Sequence, residues 1–470
     1  MYRKTRIVAT VGPASIGQET IRDLLRAGVD VFRINTSHTT RDEIVALIQL
    51  LRRSTEEEDV VPGILLDLAG PKIRVSELPD KGLELMEGDE LTLGTGSIPD
   101  IKIRPDVTFE AVANDAKVML DDGRIELKVV AHEPPSVLRL RVVYGGHLTT
   151  NKGVNFPGVT LGVPTLTERD EDNLRVGLKE GVDWVALSFV RSPEDRKAID
   201  RIFKEEERSV PVMAKVEKPE AINKLNEIVQ TFDGIMVARG DLGVEMPLEE
   251  VPLIQKQIIG VCNVAGKPVI TATQLLESMV TAPSPTRAEV NDVANAIYDG
   301  TDAVMLSSET AIGKYPVKSV EMLRAVAAAT EEAARGTGVR RRADYQIQGI
   351  GASISHAACS IAAERDIPVI VTMTHTGSTA RNISRFRPKS RIVALSPFIS
   401  TCRQLQLSWG VTSLHVREYA TTDEMITTAE QLLLKKKFVQ PGDYFILTAG
   451  VPIGQPGTTN LLKVQQVHSA

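Results

Sequence analysis

The sequence has few cysteines and no long apolar run. Its three cysteines, Cys262, Cys359 and Cys402, are too few and too scattered for a disulfide framework or a cysteine-based zinc site. No apolar stretch reaches the length of about 18 residues that a membrane span needs, and the N-terminus lacks the apolar segment of a secretory signal. These absences predict a protein of the reducing cytoplasm with no membrane partner.

The chain also lacks a basic excess. Its 55 basic and 61 acidic residues give a net charge of -6 and are well mixed, so no basic stripe is available for nucleic acid. With 470 residues, of which 42% are hydrophobic, it can form several domains of about 100 to 200 residues each. The composition therefore predicts a globular protein of more than one domain.

Short β-branched runs alternate with longer amphipathic segments, which is typical of α/β proteins. Eight such runs lie at residues 7–12, 31–35, 63–68, 183–190, 211–217, 233–241, 267–274 and 302–309. Helix-start signals lie between them: Ser15 with Gln18, Thr40 with Glu43, Thr286 with Glu289, and Ser192 before Pro193. Eight strand–helix units that close on themselves predict a (β/α)8 barrel, the TIM-barrel fold.

The spacing of the runs indicates two additions to this barrel. More than a hundred residues separate the third run from the fourth, and they are rich in short strand patterns and turns, so we expect a small inserted β domain at 71–169. A cationic stretch at 336–345 resembles a linker, and strand and helix patterns resume after it. This predicts an open α/β domain at 343–470 and leaves 1–70 and 170–342 for the barrel.

Polar side chains stand at the ends of the predicted strands, where barrel enzymes build their active sites. Glu217 and Asp241 end adjacent strands and offer oxygen ligands to one divalent ion, Mg²⁺ or Mn²⁺. Lys215 points to the same face as Glu217 and suits a developing oxyanion or a transferring phosphoryl group. The sequence leaves open that these carboxylates only form structural salt bridges with Lys215 and Arg239.

At these residues the chain resembles the pyruvate kinase family. The matching stretches include FRINTSH at 32–38, LDLAGPKIR at 66–74, NKGVNFPG at 151–158, AKVEKPEAI at 214–222, DGIMVARGDLGVE at 233–245 and KPVITATQLLESM at 267–279, and the likeness runs nearly end to end. It implies a (β/α)8 barrel with an inserted small β-barrel lid domain and a C-terminal open α/β domain. It also implies a homotetramer that transfers the phosphoryl group of phosphoenolpyruvate to ADP, which gives ATP and, after protonation of the enolate, pyruvate.

The resemblance assigns roles around the substrate. It implies that Glu217 and Asp241 bind Mg²⁺, and that Lys215 stabilises first the phosphoryl group in transfer and then the enolate. The remaining substrate residues that it implies are Arg33 for the phosphate, the backbone amides around Gly240 and Asp241 for the carboxylate, and Thr273, with Ser307 nearby, for a proton relay through water. For the nucleotide phosphates it implies His38, Arg74 and Lys152, with Asn35 beside them.

Lys72 stands where many pyruvate kinases have a glutamate beside a K⁺ site, whose matching positions here are Asn35, Ser37, Asp67 and Leu68. We expect the ammonium of Lys72, with Asp67 as its partner, to replace K⁺ as a catalytic requirement. The enzyme would then need only the divalent ion. The alternative is that Lys72 is a surface hinge residue and that K⁺ still binds.

A hydroxyl-rich loop follows the strand pattern at 368–374. Its residues Thr374, Thr376, Gly377, Ser378 and Thr379 enter a predicted helix and are suited to cradle a phosphate. In the family this loop belongs to an allosteric site, so the resemblance implies a phosphorylated metabolite as effector. The alternative is an ordinary capped strand–helix loop.

Two other functions remain open from the sequence. A metal-dependent aldolase that acts through a pyruvate enolate would also need a Glu/Asp metal pair at a barrel mouth, but it has no second phosphate to bind. A catalytically silent metabolite-binding homologue is the other alternative, although every residue assigned to chemistry is present.

Overall fold

The computed structural model describes residues 3–56, 61–95, 99–133, 136–337, 347, 349–452 and 459–468. The strands in these ranges are β1 (Arg6–Val11), β2 (Val31–Asn35), β3 (Gly63–Asp67), β4 (Arg74–Val75), β5 (Leu83–Leu85), β6 (Glu90–Gly94), β7 (Ile101–Arg104), β8 (Lys117–Leu120), β9 (Ile125–Glu133), β10 (Val137–Tyr144), β11 (Gly146–Leu148), β12 (Val154–Asn155), β13 (Trp184–Leu187), β14 (Val212–Val216), β15 (Gly234–Ala238), β16 (Val269–Ala272), β17 (Ala303–Leu306), β18 (Val369–Met373), β19 (Arg391–Ser396), β20 (Val411–His415), β21 (Tyr444–Gly450) and β22 (Thr459–Gln466).

The α-helices in the same ranges are α1 (Gln18–Ala27), α2 (Arg41–Thr55), α3 (Glu168–Glu180), α4 (Arg196–Glu205), α5 (Pro219–Asn223), α6 (Leu225–Thr231), α7 (Arg239–Glu245), α8 (Val251–Ala265), α9 (Arg287–Asp299), α10 (Ser308–Ala311), α11 (Pro316–Thr337), α12 (Ile350–Glu364), α13 (Ser378–Ser384), α14 (Ile399–Gln404) and α15 (Thr422–Lys435). Three 3-10 helices among the described residues are Pro193–Asp195, Glu277–Val280 and Leu405–Leu407. None of the described helices combines the length and the hydrophobicity that crossing a membrane requires.

Eight parallel strands close into a barrel in the order β1-β17-β16-β15-β14-β13-β3-β2. They are the eight strands that the sequence predicts, so the predicted (β/α)8 fold is confirmed. Side chains alternate along each strand between the barrel interior and the helices outside it. In β3, Leu65 packs inside the barrel, whereas Ile64 and Leu66 pack under the helices. The same alternation directs Asp67 inward at the C-terminal mouth.

The helix starts follow the predicted capping signals in part. Thr40 with Glu43 and Thr286 with Glu289 form reciprocal capping boxes, as predicted. The prediction for Ser15 is wrong, because α1 begins after Gly17 without a side-chain cap. Ser15 instead accepts a hydrogen bond from the amide of Gly12 at 3.1 Å, which closes a turn after β1.

Strands β4 to β12 are inserted between β3 and α3. They form a seven-stranded sheet in the order β12-β8-β9-β10-β6-β7-β4 and a two-stranded sheet of β5 and β11, around a hydrophobic core of their own. The inserted unit is therefore all-β, as predicted, although its described strands form two sheets and no closed barrel. The limits given for the domains stay predictions, and the linker predicted at 336–345 lies, from residue 338 onward, outside the described residues.

The C-terminal sheet has the order β20-β19-β18-β21-β22, in which all pairs are parallel except that of β21 with β22. This open α/β unit contacts the N-terminal end of the barrel. Leu407 packs with the side chains of the barrel interior, and the indole Nε1 of Trp184 donates to the carbonyl of Gln404 at 3.0 Å.

Arg387 forms an ion pair between these two units, and we expect its loss to destabilise the protein. Its Nη1 lies 2.9 Å from Asp302 Oδ1, and both side chains are buried or nearly so. Arg387→Met should lower the free energy of unfolding by about 3 kcal/mol, because it leaves the Asp302 carboxylate buried without its cation. Thermal and urea unfolding would measure this against Lys389→Met, an exposed neighbour for which we expect little change.

Candidate active site

A cleft of about 420 Å³ opens between the barrel mouth and the inserted domain. Strand alternation aims the side chains at positions 33, 67, 215 and 217 toward it from neighbouring strands. The predicted residues that line this cleft together are Arg33, Asn35, Ser37, His38, Leu68, Lys72, Arg74, Lys152, Lys215, Glu217 and Asp241. The structure thus brings most of the predicted site into one cavity.

Lys215 stands at the centre of the charges in the cleft. Its Nζ donates to Ser188 Oγ at 2.7 Å and lies 3.2 Å from Asp67 Oδ1 and 3.0 Å from Glu217 Oε1. Burial opposes the charge of Lys215, but the two carboxylates outweigh it and raise the pKa of the ammonium above its ordinary value. Lys215 is therefore a permanent cation that does not act by titrating.

Asp67 lies beneath the cleft and is 1% exposed. Its Oδ2 accepts from Arg33 Nε at 2.7 Å, and Arg33 Nη1 donates to Thr10 Oγ1 at 3.0 Å. Asp67 therefore holds two cations, Arg33 and Lys215, with their heads directed toward the same space. A site with two fixed cations, both with largely buried side chains, is suited to an anion such as a phosphoryl group.

Glu217 and Asp241 have the chemistry of ligands for a hard divalent cation. Glu217 Oε2 accepts from the amide of Phe189 at 2.8 Å, whereas the buried Oε1 forms an ion pair with Lys215 Nζ at 3.0 Å and accepts no hydrogen bond from any other described residue. Burial raises the pKa of Glu217, with Lys215 opposing and Asp241 adding to the rise. Oε1 has acceptor capacity beyond its contact with Lys215, and beside a second carboxylate it fits a divalent cation, which would relieve the repulsion between the two acids.

A cation held here would take further ligands from outside the chain. Nowhere in the described ranges do three or more His, Cys, Asp or Glu side chains form a group able to hold a metal ion. Two carboxylates with substrate and water oxygens are a usual ligand set for Mg²⁺, which keeps several non-protein ligands.

The expected pairing of Lys72 with Asp67 is wrong. Lys72 Nζ lies 2.9 Å from Asp241 Oδ1 and 3.4 Å from Asp122 Oδ1, whereas Asp67 is engaged by Arg33 and Lys215. Burial opposes the charge of Lys72, but Asp241 and Asp122 outweigh it and raise the pKa of the ammonium. The reason for the difference is the inserted domain, which brings Asp122 down onto the hinge where Lys72 lies.

The positions that match a K⁺ site already have hydrogen-bond partners within the chain. Asn35 Oδ1 accepts from the amide of Ser37 at 3.1 Å, and the backbone carbonyl of the buried Leu68 accepts from Ser188 Oγ at 2.7 Å. With Asp67 they form a compact polar floor under Lys72 and Lys215.

The inserted domain directs two further cations at the cleft. Arg74 Nη1 donates to the carbonyl of Asn151 at 2.9 Å, and Lys152 Nζ lies 2.6 Å from Asp121 Oδ1. The other residue predicted to bind nucleotide phosphate, His38, faces them from the loop after β2. Burial lowers the pKa of His38, and the nearby Arg74, Arg169, Arg33 and Lys72 lower it further.

A pH titration should therefore place the midpoint of His38 below its ordinary value of 6.5. Because the folded protein resists protonating this ring more than the unfolded chain does, His38 contributes stability at high pH that decreases as the pH falls below that value. NMR of the imidazole protons would measure the midpoint. In Arg74→Gln the midpoint should rise, and an unchanged midpoint would contradict the assigned electrostatic cause.

Thr273, Gly240 and Ser307 lie at the ends of neighbouring strands but outside the lining of the cleft. Thr273 Oγ1 accepts from the amide of Gly240 at 2.8 Å and donates to the carbonyl of Ala272 at 2.6 Å. Thr273 has a backbone φ of +68°, a conformation that is rare for a threonine. The amide of Ser307 donates to Glu309 Oε2 at 2.7 Å.

Three contacts around the site lie outside the sequence prediction. Ser188 joins Lys215 to the backbone after β3, Asp122 contacts Lys72, and Arg239 Nη2 donates to the carbonyl of Thr273 at 2.7 Å. The position of Ser188 at a strand end is a usable signal. Asp122 gives no such signal, because its approach depends on how the inserted domain sits on the barrel.

The loop predicted to bind an effector lies at the start of α13. Thr374 Oγ1 accepts from the amide of Gly377 at 2.9 Å, and the hydroxyls of Thr379 and Thr459 lie 2.7 Å apart. Thr376 Oγ1 donates to Ser378 Oγ at 3.2 Å, and Thr376 is exposed. The loop thus presents Thr376 and Ser378 outward, while Thr374 and Thr379 hold its shape.

Comparison with known proteins decides the family. The protein-family model described as "Pyruvate kinase, barrel domain" matches residues 2–320 of this sequence. A second family model, described as "Pyruvate kinase, alpha/beta domain", matches residues 352–465. The chain belongs to the pyruvate kinase family. The family predicted from the sequence motifs is thereby confirmed, and the protein is an enzyme, a transferase with pyruvate kinase function.

Relatives match over nearly the whole chain. Pyruvate kinase 2 of Synechocystis sp. is 45% identical over 476 residues, which cover 99% of this chain and 80% of that protein. A pyruvate kinase of Staphylococcus aureus is 42% identical over 485 residues, with the same coverage of 99% and 80%. The pyruvate kinase likeness therefore includes the barrel, the inserted domain and the C-terminal domain alike.

Proposed function

We propose that this pyruvate kinase transfers the phosphoryl group of phosphoenolpyruvate to ADP, giving pyruvate and ATP, with one Mg²⁺ or Mn²⁺ and without a requirement for K⁺. The observation that carries the proposal is the convergence of Lys215, Arg33, Glu217 and Asp241 at the mouth of the barrel, beneath cations of the inserted domain. This arrangement provides one anion site on the barrel and a second facing it.

The divalent cation, held by Glu217 and Asp241, would neutralise charge on the substrate carboxylate and bridging oxygen. Arg33, fixed by Asp67 and Thr10, binds the phosphate of phosphoenolpyruvate in one orientation. Lys215 stabilises the phosphoryl group in transfer and then the negative charge of the enolate, without giving up its own proton.

Protonation of the enolate is assigned to Thr273 with Ser307, through water. A threonine hydroxyl is a poor acid, so Thr273 passes on a proton from water and does not supply it alone. Its hydroxyl now accepts from the amide of Gly240 and donates to the carbonyl of Ala272, so it would have to turn its proton from this carbonyl toward the substrate to act as a relay. The amide of Asp241 would bind the substrate carboxylate when phosphoenolpyruvate enters, and the amide of Gly240 would join it by exchanging Thr273 Oγ1 for a carboxylate oxygen.

For the nucleotide we propose His38, Arg74, Lys152 and Asn35 as the phosphate contacts. Closure of the inserted domain would exclude water and bring the acceptor phosphate in line with the donor. Lys152 would exchange its present partner Asp121 for a phosphate oxygen, which forms a charge-assisted hydrogen bond of similar strength.

Independence from K⁺ is supported by the place of the Lys72 ammonium. It lines the cleft with Asn35, Ser37 and Leu68, above Asp67, and its contacts are Asp241 and Asp122. A second monovalent cation in the same space would be repelled by Lys72.

A lactate dehydrogenase-coupled assay with phosphoenolpyruvate, ADP and Mg²⁺ tests the reaction. We expect pyruvate formation that stops when ADP or the divalent ion is omitted. Aldol cleavage independent of ADP would favour the metal-dependent aldolase. Tight binding of phosphoenolpyruvate without turnover, with or without phosphorylated metabolites, would favour a catalytically silent homologue.

We also propose a phosphorylated metabolite as effector at Thr374, Thr376, Gly377, Ser378 and Thr379. The outward hydroxyls of Thr376 and Ser378 support this, and Gly377, with φ of +79°, lets the loop turn tightly into α13. Equilibrium binding of sugar phosphates and nucleoside monophosphates to wild type and Ser378→Asp would test it, since the added carboxylate should repel the ligand.

The remaining proposals concern assembly and setting. We propose domains at 1–70 with 170–342, 71–169 and 343–470, a homotetramer measurable by light scattering, and a cytoplasmic location. The three cysteines are buried and unbonded, which suits a reducing compartment.

A further inference from the structure

The side chain of Lys72 is confined between the inserted domain and the barrel. Its Nζ contacts Asp241, at the start of α7, and Asp122, in the turn between β8 and β9. A Cβ atom at position 153 would lie 3.0 Å from Lys72 Cε, so glycine there lets the lysine stem pass. The ammonium is therefore directed onto Asp241 by packing as well as by charge.

Asp241 is one of the two carboxylates that we propose as metal ligands. Lys72 Nζ donates to its Oδ1 at 2.9 Å, within ordinary hydrogen-bond length. Lys215, by contrast, lies against Glu217 and Asp67. Lys72 is thus the cation in direct contact with Asp241, and a divalent ion on that carboxylate would meet a like charge close by.

We propose that Lys72 competes with the divalent cation for Asp241 and thereby sets how tightly the enzyme binds its metal before substrate arrives. The inference rests on the proposed metal site and goes beyond the replacement of K⁺, because it concerns metal affinity and not monovalent activation. By reciprocity, whatever strengthens the contact between Lys72 and Asp241 weakens metal binding to the same degree.

Direct binding of Mn²⁺ to the full-length enzyme tests this without any turnover. The electron paramagnetic resonance signal of unbound Mn²⁺ gives the Kd in the absence of substrates, at fixed ionic strength. We expect Lys72→Met to bind Mn²⁺ about tenfold more tightly than wild type, since it removes a cation in contact with a ligand. Lys72→Gln repeats the removal of charge with a polar side chain, so a folding defect of one variant does not decide the test.

Two controls separate contact from general charge. Lys72→Arg keeps the cation and should leave the Kd within about threefold of wild type. Arg74→Met removes a cation from the same cleft, where Arg74 contacts the carbonyl of Asn151, and should also change the Kd by less than about threefold.

The outcomes distinguish this inference from the function on which it rests. Loss of Mn²⁺ binding in Glu217→Gln supports the metal site, whatever the lysine variants do. With that site in place, an unchanged or weaker Kd in both Lys72→Met and Lys72→Gln would overturn the competition. Equal tightening in Arg74→Met would overturn it as well, because the effect would then come from the general field. Absence of Mn²⁺ binding to wild type and all variants would overturn both proposals.

Discussion

Lys215→Met is expected to lower kcat by about 10³-fold or more, which is the scale seen when a fixed group that stabilises a transferring phosphoryl is removed. The loss should be in kcat, with a smaller change in the KM for phosphoenolpyruvate, because Arg33 remains to bind the phosphate. Steady-state kinetics in the coupled assay would measure both constants.

The control for this variant must account for buried charge. Lys215 lies against Asp67 and Glu217, which are each 1% exposed, so its removal leaves two buried carboxylates without their shared cation. Circular dichroism and thermal unfolding should therefore show a folded but less stable protein. Lys224→Met, at an exposed position after α5, should keep wild-type kcat. A Lys215→Met enzyme with more than about a tenth of wild-type kcat would contradict the assigned role.

Ser188→Ala separates the position of Lys215 from its charge. Ser188 Oγ accepts from Lys215 Nζ and donates to the carbonyl of Leu68, so it orients the ammonium without touching the proposed phosphate position. We expect Ser188→Ala to lower kcat much less than Lys215→Met does, because the carboxylates of Asp67 and Glu217 still hold the Lys215 ammonium.

The barrel was predictable because each strand carries its own signal. In β14, Met213 and Lys215 alternate with Ala214 and Val216, so one face fills the barrel and ends at the mouth while the other packs under helices. The same alternation that predicts the strand also predicts that Lys215 points toward the barrel mouth. The alternation along the strands thus predicts both the barrel and the side chains at its mouth, which explains why the sequence could group the residues at the strand ends into one site.

From the sequence, we missed or misassigned features whose sequence patterns are weak or whose contacts join residues far apart in the chain. Strand β22 covers an edge of the C-terminal sheet, and Thr459 is its one buried residue, so its sequence lacks the continuous apolar run of an inner parallel strand. Ser15 matches a capping motif but serves a turn with Gly12. Glu245 accepts from Asn155 of the inserted domain and from Lys218 of the barrel, and these contacts span long sequence separations that no local pattern records.

The partner of Lys72 is the instructive case among these. Adjacency in sequence favours Asp67, yet Asp67 lies on the inward face of β3, where Arg33 and Lys215 already neutralise it. Lys72 lies after the turn at Gly70 and faces Asp241 of the barrel and Asp122 of the inserted domain, both of which are distant from it in sequence. Several cations compete for one carboxylate, and this competition decides which ion pairs form. The outcome is visible only when the positions of all the competing side chains are known.

This placement sharpens what Lys72→Glu should do. The change puts a carboxylate beside Asp122 and Asp241, so the repulsion among three acids should lower kcat/KM by about 10²-fold or more in the absence of K⁺. Added K⁺ can enter between these carboxylates and should restore much of the activity. Wild type should be equally active in Tris or cyclohexylammonium salts with and without KCl at matched ionic strength, since its own ammonium occupies that position.

The matched control for this last variant is Lys81→Glu, the same charge reversal at an exposed position of the inserted domain, which should change neither activity nor its response to K⁺. Wild-type activity that appears only with K⁺ would show that Lys72 does not replace the ion, although the phosphoryl transfer itself would stand. A Lys72→Glu enzyme that folds and binds Mn²⁺ but stays inactive at every K⁺ concentration would show that the site needs a cation fixed to the chain, because an ion from solution would then have failed to take its place.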